Sequence, residues 1–177
     1  MDVAAQFEPK HRRFTVAALL PEQRCIIEGV SLHDTVKVID CAGGMVEVRG
    51  KCKILLVDKS RGVRVSVSGA VCGAEVVNCT DCGLETGAAV PMVAIDKCAG
   101  IQLRLGGRTE VITANILGVS LFRGEEFCTI PTAEALGLAP AGRQCLTVFS
   151  PGDDVFPSTV AFERCHLDDA RMSSSTF

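Results

Sequence analysis

The chain has 177 residues, 18 Lys and Arg against 21 Asp and Glu, a net charge of −3 and 47% hydrophobic residues. That balance supplies a core and excludes global disorder, and with a sequence pI near 5.6 there is no basic stripe of the kind that nucleic-acid binding demands. Twenty-one valines, 17 glycines and the absence of Trp and Tyr favour strand and turn over helix, in one domain.

No apolar run approaches the ~20 residues of a membrane span. Met1 to Arg13 mixes Asp2, Glu8, Lys10, His11, Arg12 and Arg13 without an apolar core, so it does not read as a signal peptide. Residues 1–12 are expected to be a flexible lead-in and the protein to be cytoplasmic. Phe14–Ala17 and Cys25–Gly29 read as a first, less regular coil.

From residue 36 onward the sequence repeats. Five lines, 36–50, 53–69, 74–87, 91–106 and 109–124, each hold a short apolar strand, an Asp or Asn, small residues, a Gly and an alternating strand. The polar markers are Asp40, Asp58, Asn78, Asp96 and Asn115, spaced 18, 20, 18 and 19 residues apart. The glycines read as following them are Gly44, Gly62, Gly83, Gly100 and Gly118. Alternation in Val63–Val67 and Ile101–Leu105 buries one face of each strand. Asp, Asn and Gly supply tight corners. Turns of this length, stacked ~4.8 Å apart, make a parallel β-helix whose narrow core suits Val, Ile, Ala and Cys. An up-and-down antiparallel barrel is the alternative, but it does not explain a period that spans two strands.

Such a solenoid needs capped ends. Downstream, Thr132–Leu138 has helical character, Gln144–Phe149 returns to strand, and 168–177 is a polar tail. The domain therefore spans 13–167.

Chemistry-bearing motifs are sparse. Ten cysteines lie mostly within the strands and read as small buried apolar residues. Cys79-Thr80-Asp81-Cys82 is a C-x-x-C, yet a zinc site wants further ligands, which Cys72 or Cys98 supplies only if adjacent coils meet. The Asp/Asn series has too few acids per turn for a calcium ladder and reads as turn chemistry. His11, His33 and His166 lie far apart, and Glu125–Glu126 and Asp153–Asp154 are adjacent pairs that a strand sends to opposite faces. No phosphate loop is present. Neither catalysis nor a cofactor is expected. Lys51, Lys53, Lys59, Arg61, Arg64, Lys97, Arg104 and Arg108 recur on successive turns, and as a group they read as a basic strip for an acidic partner.

Several segments carry a family resemblance. Val46-Glu47-Val48-Arg49-Gly50-Lys51 with Ile54–Asp58, then Glu75-Val76-Val77-Asn78-Cys79, lead to Gly87 and Pro91–Gly100, the most specific stretch. Gly152–Pro157 with Phe162 completes the set. These resemble the C-terminal domain of the adenylyl cyclase-associated protein family. The resemblance implies an all-β, right-handed parallel β-helix that forms a homodimer by exchanging C-terminal strands. It also implies binding of monomeric actin, preferentially ADP-actin, with nucleotide exchange or monomer sequestration, in a cytoskeleton-associated protein. The chain reads as a minimal form, without the family's N-terminal bundle and proline-rich regions. Thr132–Gly142 and Ser158–Val160 depart from the family pattern.

On this reading the candidate actin-binding residues are Lys51, Lys53, Lys59, Arg61, Lys97 and Arg104. The candidate dimerisation residues are Leu146, Val148, Phe149, Val155, Phe156 and Phe162. The rival is a tubulin-cofactor-C-like GTPase activator working through an arginine finger at Arg61, Arg64 or Arg104. A carbohydrate-active β-helix is disfavoured by the missing Trp and Tyr.

Overall fold

Two apolar strand segments per repeat, joined by corners of three to five residues, leave the chain no option but to coil. The structure, a computed structural model, describes residues 1–88, 90–123, 125–132, 135, 143–149 and 159–163. The strands are β1 (Gln6–Glu8), β2 (Arg13–Ala17), β3 (Arg24–Ile27), β4 (Thr35–Ile39), β5 (Met45–Asp58) and β6 (Arg64–Val77). They continue as β7 (Gly83–Thr86), β8 (Met92–Leu105), β9 (Thr109–Arg123), β10 (Glu126–Ile130), β11 (Arg143–Phe149) and β12 (Thr159–Glu163). No α-helix occurs among the described residues; a 3-10 turn spans Pro9–His11.

The fold is a parallel β-solenoid of about six turns. The long strands β5, β6, β8 and β9 each bend round a corner and contribute to two rows. In the first row Val36, Leu55, Ala74, Val93 and Val111 stack in register, with Val38, Val57, Val76, Ile95 and Thr113 beside them. In the second row Cys25, Val46, Val65, Leu84, Leu103 and Leu121 stack, with Ile27, Val48, Val67, Thr86 and Leu105 alongside. All are buried, and the two rows face each other across the core. Each such apolar side chain contributes about 1.5–3 kcal/mol on burial. The valine surplus follows from this geometry: one residue in two, on both rows, must be apolar and slim.

The ends reverse the pairing. β1 runs antiparallel to β2 in the register Phe7↔Phe14, and the rings of that pair lie 4.5 Å apart. At the other end β10 and β11 both run antiparallel along β9, and β12 pairs β11. Residues 1–12, expected to be a flexible lead-in, instead pair with the first turn. The Met1 ammonium donates to the Glu22 carbonyl at 3.0 Å, Val3 donates its amide to Arg24, and Glu8 binds the Arg13 guanidinium at 2.8 Å. The end strand edge has to be covered, and this segment covers it.

The corner register also departs from the sequence reading. Left-handed backbone recurs at Asp40, Lys59, Asn78, Lys97 and Asn115, with φ between 48° and 54°. Asp58, read as a corner residue, is the last residue of β5 before Lys59, and Asp96, read likewise, lies within β8 directly before Lys97. A second left-handed residue follows three positions on, at Gly43, Gly62, Asp81, Gly100 and Gly118, where only Asp81 and Gly118 have neither Gly43's wide φ nor a lysine behind them. Gly83, read as a corner glycine, lies instead at the start of β7.

The expected helical character of Thr132–Leu138 lies outside the described residues apart from Thr132 and Ala135, as do Val155, Phe156 and the 168–177 tail.

Candidate interaction surface

The corner that carries the left-handed residues is the edge of the solenoid and projects one side chain per turn in each of a few columns. Lys59 and Lys97 occupy its outer column, both exposed and two turns, roughly 10 Å, apart. A lysine in the left-handed region is strained, whereas Asn and Asp tolerate it. The neighbouring column is Arg61, Thr80 and Ala99. The Arg61 guanidinium is 78% exposed and 3.9 Å from the Asp81 carboxylate, too far for more than a weak attraction. Between the lysines, Asn78 donates its side-chain amide to Asp58 at 3.2 Å.

The expected basic strip is therefore not continuous. Lys59, Arg61 and Lys97 share this corner. Lys51 and Lys53 sit at the opposite corner, where the first-row and second-row halves of β5 meet through register shifts. Arg104 stands on the outer face of the second row, its guanidinium 4.5 Å above the Phe122 ring.

Of that outer face only Arg64 and Arg104 are singled out in the sequence. Arg24, Met45, Arg64, Gly83 and Gln102 form one column across it. Because Gly83 has no side chain, a groove of about 330 Å³ opens there, lined by Met45, Arg64, Asp81, Glu85, Gln102 and Arg104. Beside it Glu47 accepts from Arg24 and from Arg49 at 2.7 Å, and Arg49 also reaches Glu28 at 2.7 Å. Hydrogen bonds from Arg49 and Arg24 hold the Glu47 carboxyl below its ordinary range. The only sequence signal for the groove was a glycine breaking a charged column.

At the C-terminal end, Leu117 is 71% exposed on the same corner as Lys97, and Phe127 is 58% exposed with its ring 5.5 Å from Phe122. In β11, Cys145 and Thr147 are buried while Leu146 and Val148 are half-buried on the opposite face. β11 and β12 carry Phe149 and Phe162 in strands, and both strands pair within this chain.

Below the corner lies a sulfur-rich layer. Cys41, Ser60, Cys79 and Cys98 follow one another in adjacent turns, each directly after a left-handed residue, and all are buried. The Ser60 hydroxyl accepts from the Cys41 amide at 3.2 Å and donates to the Asp58 carbonyl at 2.9 Å. The Cys79 amide donates to the Cys98 sulfur at 3.4 Å, and the Cys79 thiol donates to the Val57 and Val77 carbonyls at 3.6 and 3.2 Å. Seven of the nine described cysteines are buried, in line with their reading as small core residues; Cys72 is exposed. Among the described residues no group of three or more His, Cys, Asp or Glu is arranged to hold a metal ion. No described helix is long and apolar enough to cross a membrane.

A parallel β-solenoid whose end strands reverse to antiparallel pairing is the class of protein that the fold defines. The chain matches the family described as adenylate cyclase associated (CAP) C terminal over residues 4–122, and it belongs to that family. It is 24% identical over 113 residues to the adenylyl cyclase-associated protein of Dictyostelium discoideum, covering 62% of this chain and 24% of that one. It is also 24% identical over 94 residues to cyclase-associated protein 1 of Arabidopsis thaliana, covering 53% and 20%. The chain thus spans about a quarter or less of the length of these relatives. In fold it resembles the crystal structure of cyclase-associated protein from Cryptosporidium parvum, with a TM-score of 0.68 and 16% identity, covering 90% of this chain and 95% of that one.

Proposed function

We propose that this chain binds monomeric actin, preferentially ADP-actin, and regulates actin turnover by promoting nucleotide exchange or sequestering monomers. Family membership supports actin regulation. The observation that carries the choice of surface is the pair Lys59 and Lys97, held exposed in a strained backbone conformation on one corner, with Arg61 beside them. Strain kept at exposed cations is more economically explained by a partner than by folding. An acidic partner surface would be steered to this corner, raising the association rate more than the affinity. Exchange would need no chemistry from this chain: preferential binding of an actin conformation with a loosened nucleotide cleft shifts that equilibrium.

Dimerisation by exchange of C-terminal strands belongs to the same proposal. β11 lies antiparallel on β9 and presents Leu146 and Val148 outward, so an identical hairpin from a second chain would meet the same register. The protein is placed in the cytoplasm, associated with the cytoskeleton. The GTPase-activator alternative has no observation in its favour.

The test is a pull-down with ADP- and ATP-loaded actin monomers, followed by the release rate of bound nucleotide. Retention of ADP-actin above ATP-actin is expected; no retention of either overturns the reading.

A further inference from the structure

The C-x-x-C that the sequence left without a partner acquires one in the fold. Cys79 and Cys98 are neighbours in adjacent turns, between the paired positions Val77↔Asp96 and Thr80↔Ala99. Directly paired residues of adjacent strands lie roughly 4.8 Å apart, inside the Cα separation of roughly 4.4–6.8 Å that a disulfide spans. On the other side of Cys79, Cys82 comes from the same corner. Cys79 and Cys98 are therefore juxtaposed, the Cys79 amide donating to the Cys98 sulfur at 3.4 Å.

The order of the hydrogen bonds sets the chemistry. The bond from Cys79 holds the Cys98 thiol below its ordinary value, against burial. The bond from Cys82 works to lower Cys79, but the bond to Cys98 and burial together push Cys79 up to about 11. The bond to Cys79 and then burial push Cys82 up. Cys98 is thus the most readily ionised of the three and Cys79 the thiol placed to follow it. The cysteines are buried, and the exposed Asn78, Asp81 and Lys97 flank them in sequence.

We infer that Cys98 and Cys79 form an oxidation site in which a peroxide converts them into a disulfide joining two turns of the solenoid. The Cys98 thiolate attacks one peroxide oxygen, the O–O bond breaks, and the departing hydroxide takes a proton to become water, leaving a sulfenic acid. The Cys79 sulfur then attacks the Cys98 sulfur. The S–O bond breaks and the hydroxyl leaves as water with the Cys79 thiol proton. Two thiols and one peroxide become one disulfide and two waters; sulfur is oxidised and peroxide oxygen is reduced. The site does not depend on the identity of any protein partner.

The experiment treats the full native chain with hydrogen peroxide, blocks remaining thiols by alkylation, and maps the peptides by mass spectrometry. Trypsin isolates Cys98 on the peptide Cys98–Arg104 and leaves Cys72, Cys79 and Cys82 together on Val65–Lys97, where fragmentation assigns the partner. The expected result is an intrachain link from Cys98 to Cys79, unchanged in Cys72→Ala and lost in Cys79→Ala. Circular dichroism of the wild type before and after treatment should be the same. Oxidation confined to Cys72, or Cys79 and Cys98 thiols that react only after denaturation, would overturn the inference. The wild-type map decides the matter even if Cys79→Ala fails to fold.

Discussion

The side-chain amide of Asn115 donates a 2.8 Å hydrogen bond to the Asp96 carboxylate one turn below, repeating the Asn78–Asp58 bond two turns earlier. Each Asn supplies a left-handed corner and ties it to the previous one, while Lys59 and Lys97 hold the alternate corners without such a bond. Asn115→Ala loses both contributions and should cost about 1–2 kcal/mol. Lys97→Asn relieves backbone strain and should raise stability by up to ~1 kcal/mol. Urea midpoints of the two variants, with unchanged slopes, check both signs.

Asp34 is buried beneath the opposite corner, where its carboxylate accepts from the Ser31 amide and hydroxyl at 2.8 and 2.7 Å and pairs with Arg12 at 2.8 Å. Burial works to raise this carboxyl, but the Ser31 and Arg12 interactions together hold it below its ordinary value of 3.8. A depressed folded value stabilises the fold above the unfolded value and loses that contribution as pH falls. Stability should therefore drop below about pH 4 as Asp34 protonates. Asp34→Asn should lower stability at pH 7 by about 1–3 kcal/mol and flatten the acid limb. Denaturation midpoints between pH 7 and pH 3 measure it.

The fully buried Ile95 continues the Val38–Val57–Val76 column. Ile95→Ala opens a cavity between rows that cannot collapse without disturbing both neighbouring turns. A loss of about 2–5 kcal/mol is expected, read as a lower urea midpoint with an unchanged slope.

Truncation after Gly142 removes β11 and β12 and uncovers the first-row half of β9. On the proposed strand exchange, sedimentation should show dimer for the intact chain and monomer or aggregate for the truncated one. A stable truncated dimer would move the interface elsewhere.

The repeat period, the two strand rows and the burial of cysteines were legible because alternation and spacing come directly from the geometry of stacked strands. The corner register was not. Left-handed backbone favours Gly, Asn and Asp, so attention fell on Asp58 and Asp96, while the chain places Lys59 and Lys97 in that conformation. The same preference hid Asp81 behind Gly83. The basic strip broke up for a related reason: spacing along the chain does not say on which corner a residue falls, and the candidates Lys51 and Lys97 lie on opposite ones. The meeting of Cys98 with Cys79 depended on a register between turns that no local pattern encodes.

The corner carrying Lys59 and Lys97 is the surface proposed to meet actin. Affinity for ADP-actin monomers should be measured for the wild type, for Lys59→Glu with Lys97→Glu, and for Lys51→Glu with Lys53→Glu, each checked by circular dichroism. The account predicts at least a tenfold loss, about 1.4 kcal/mol, for the first pair and little change for the second. Equal affinity in the wild type and the Lys59/Lys97 pair would contradict it.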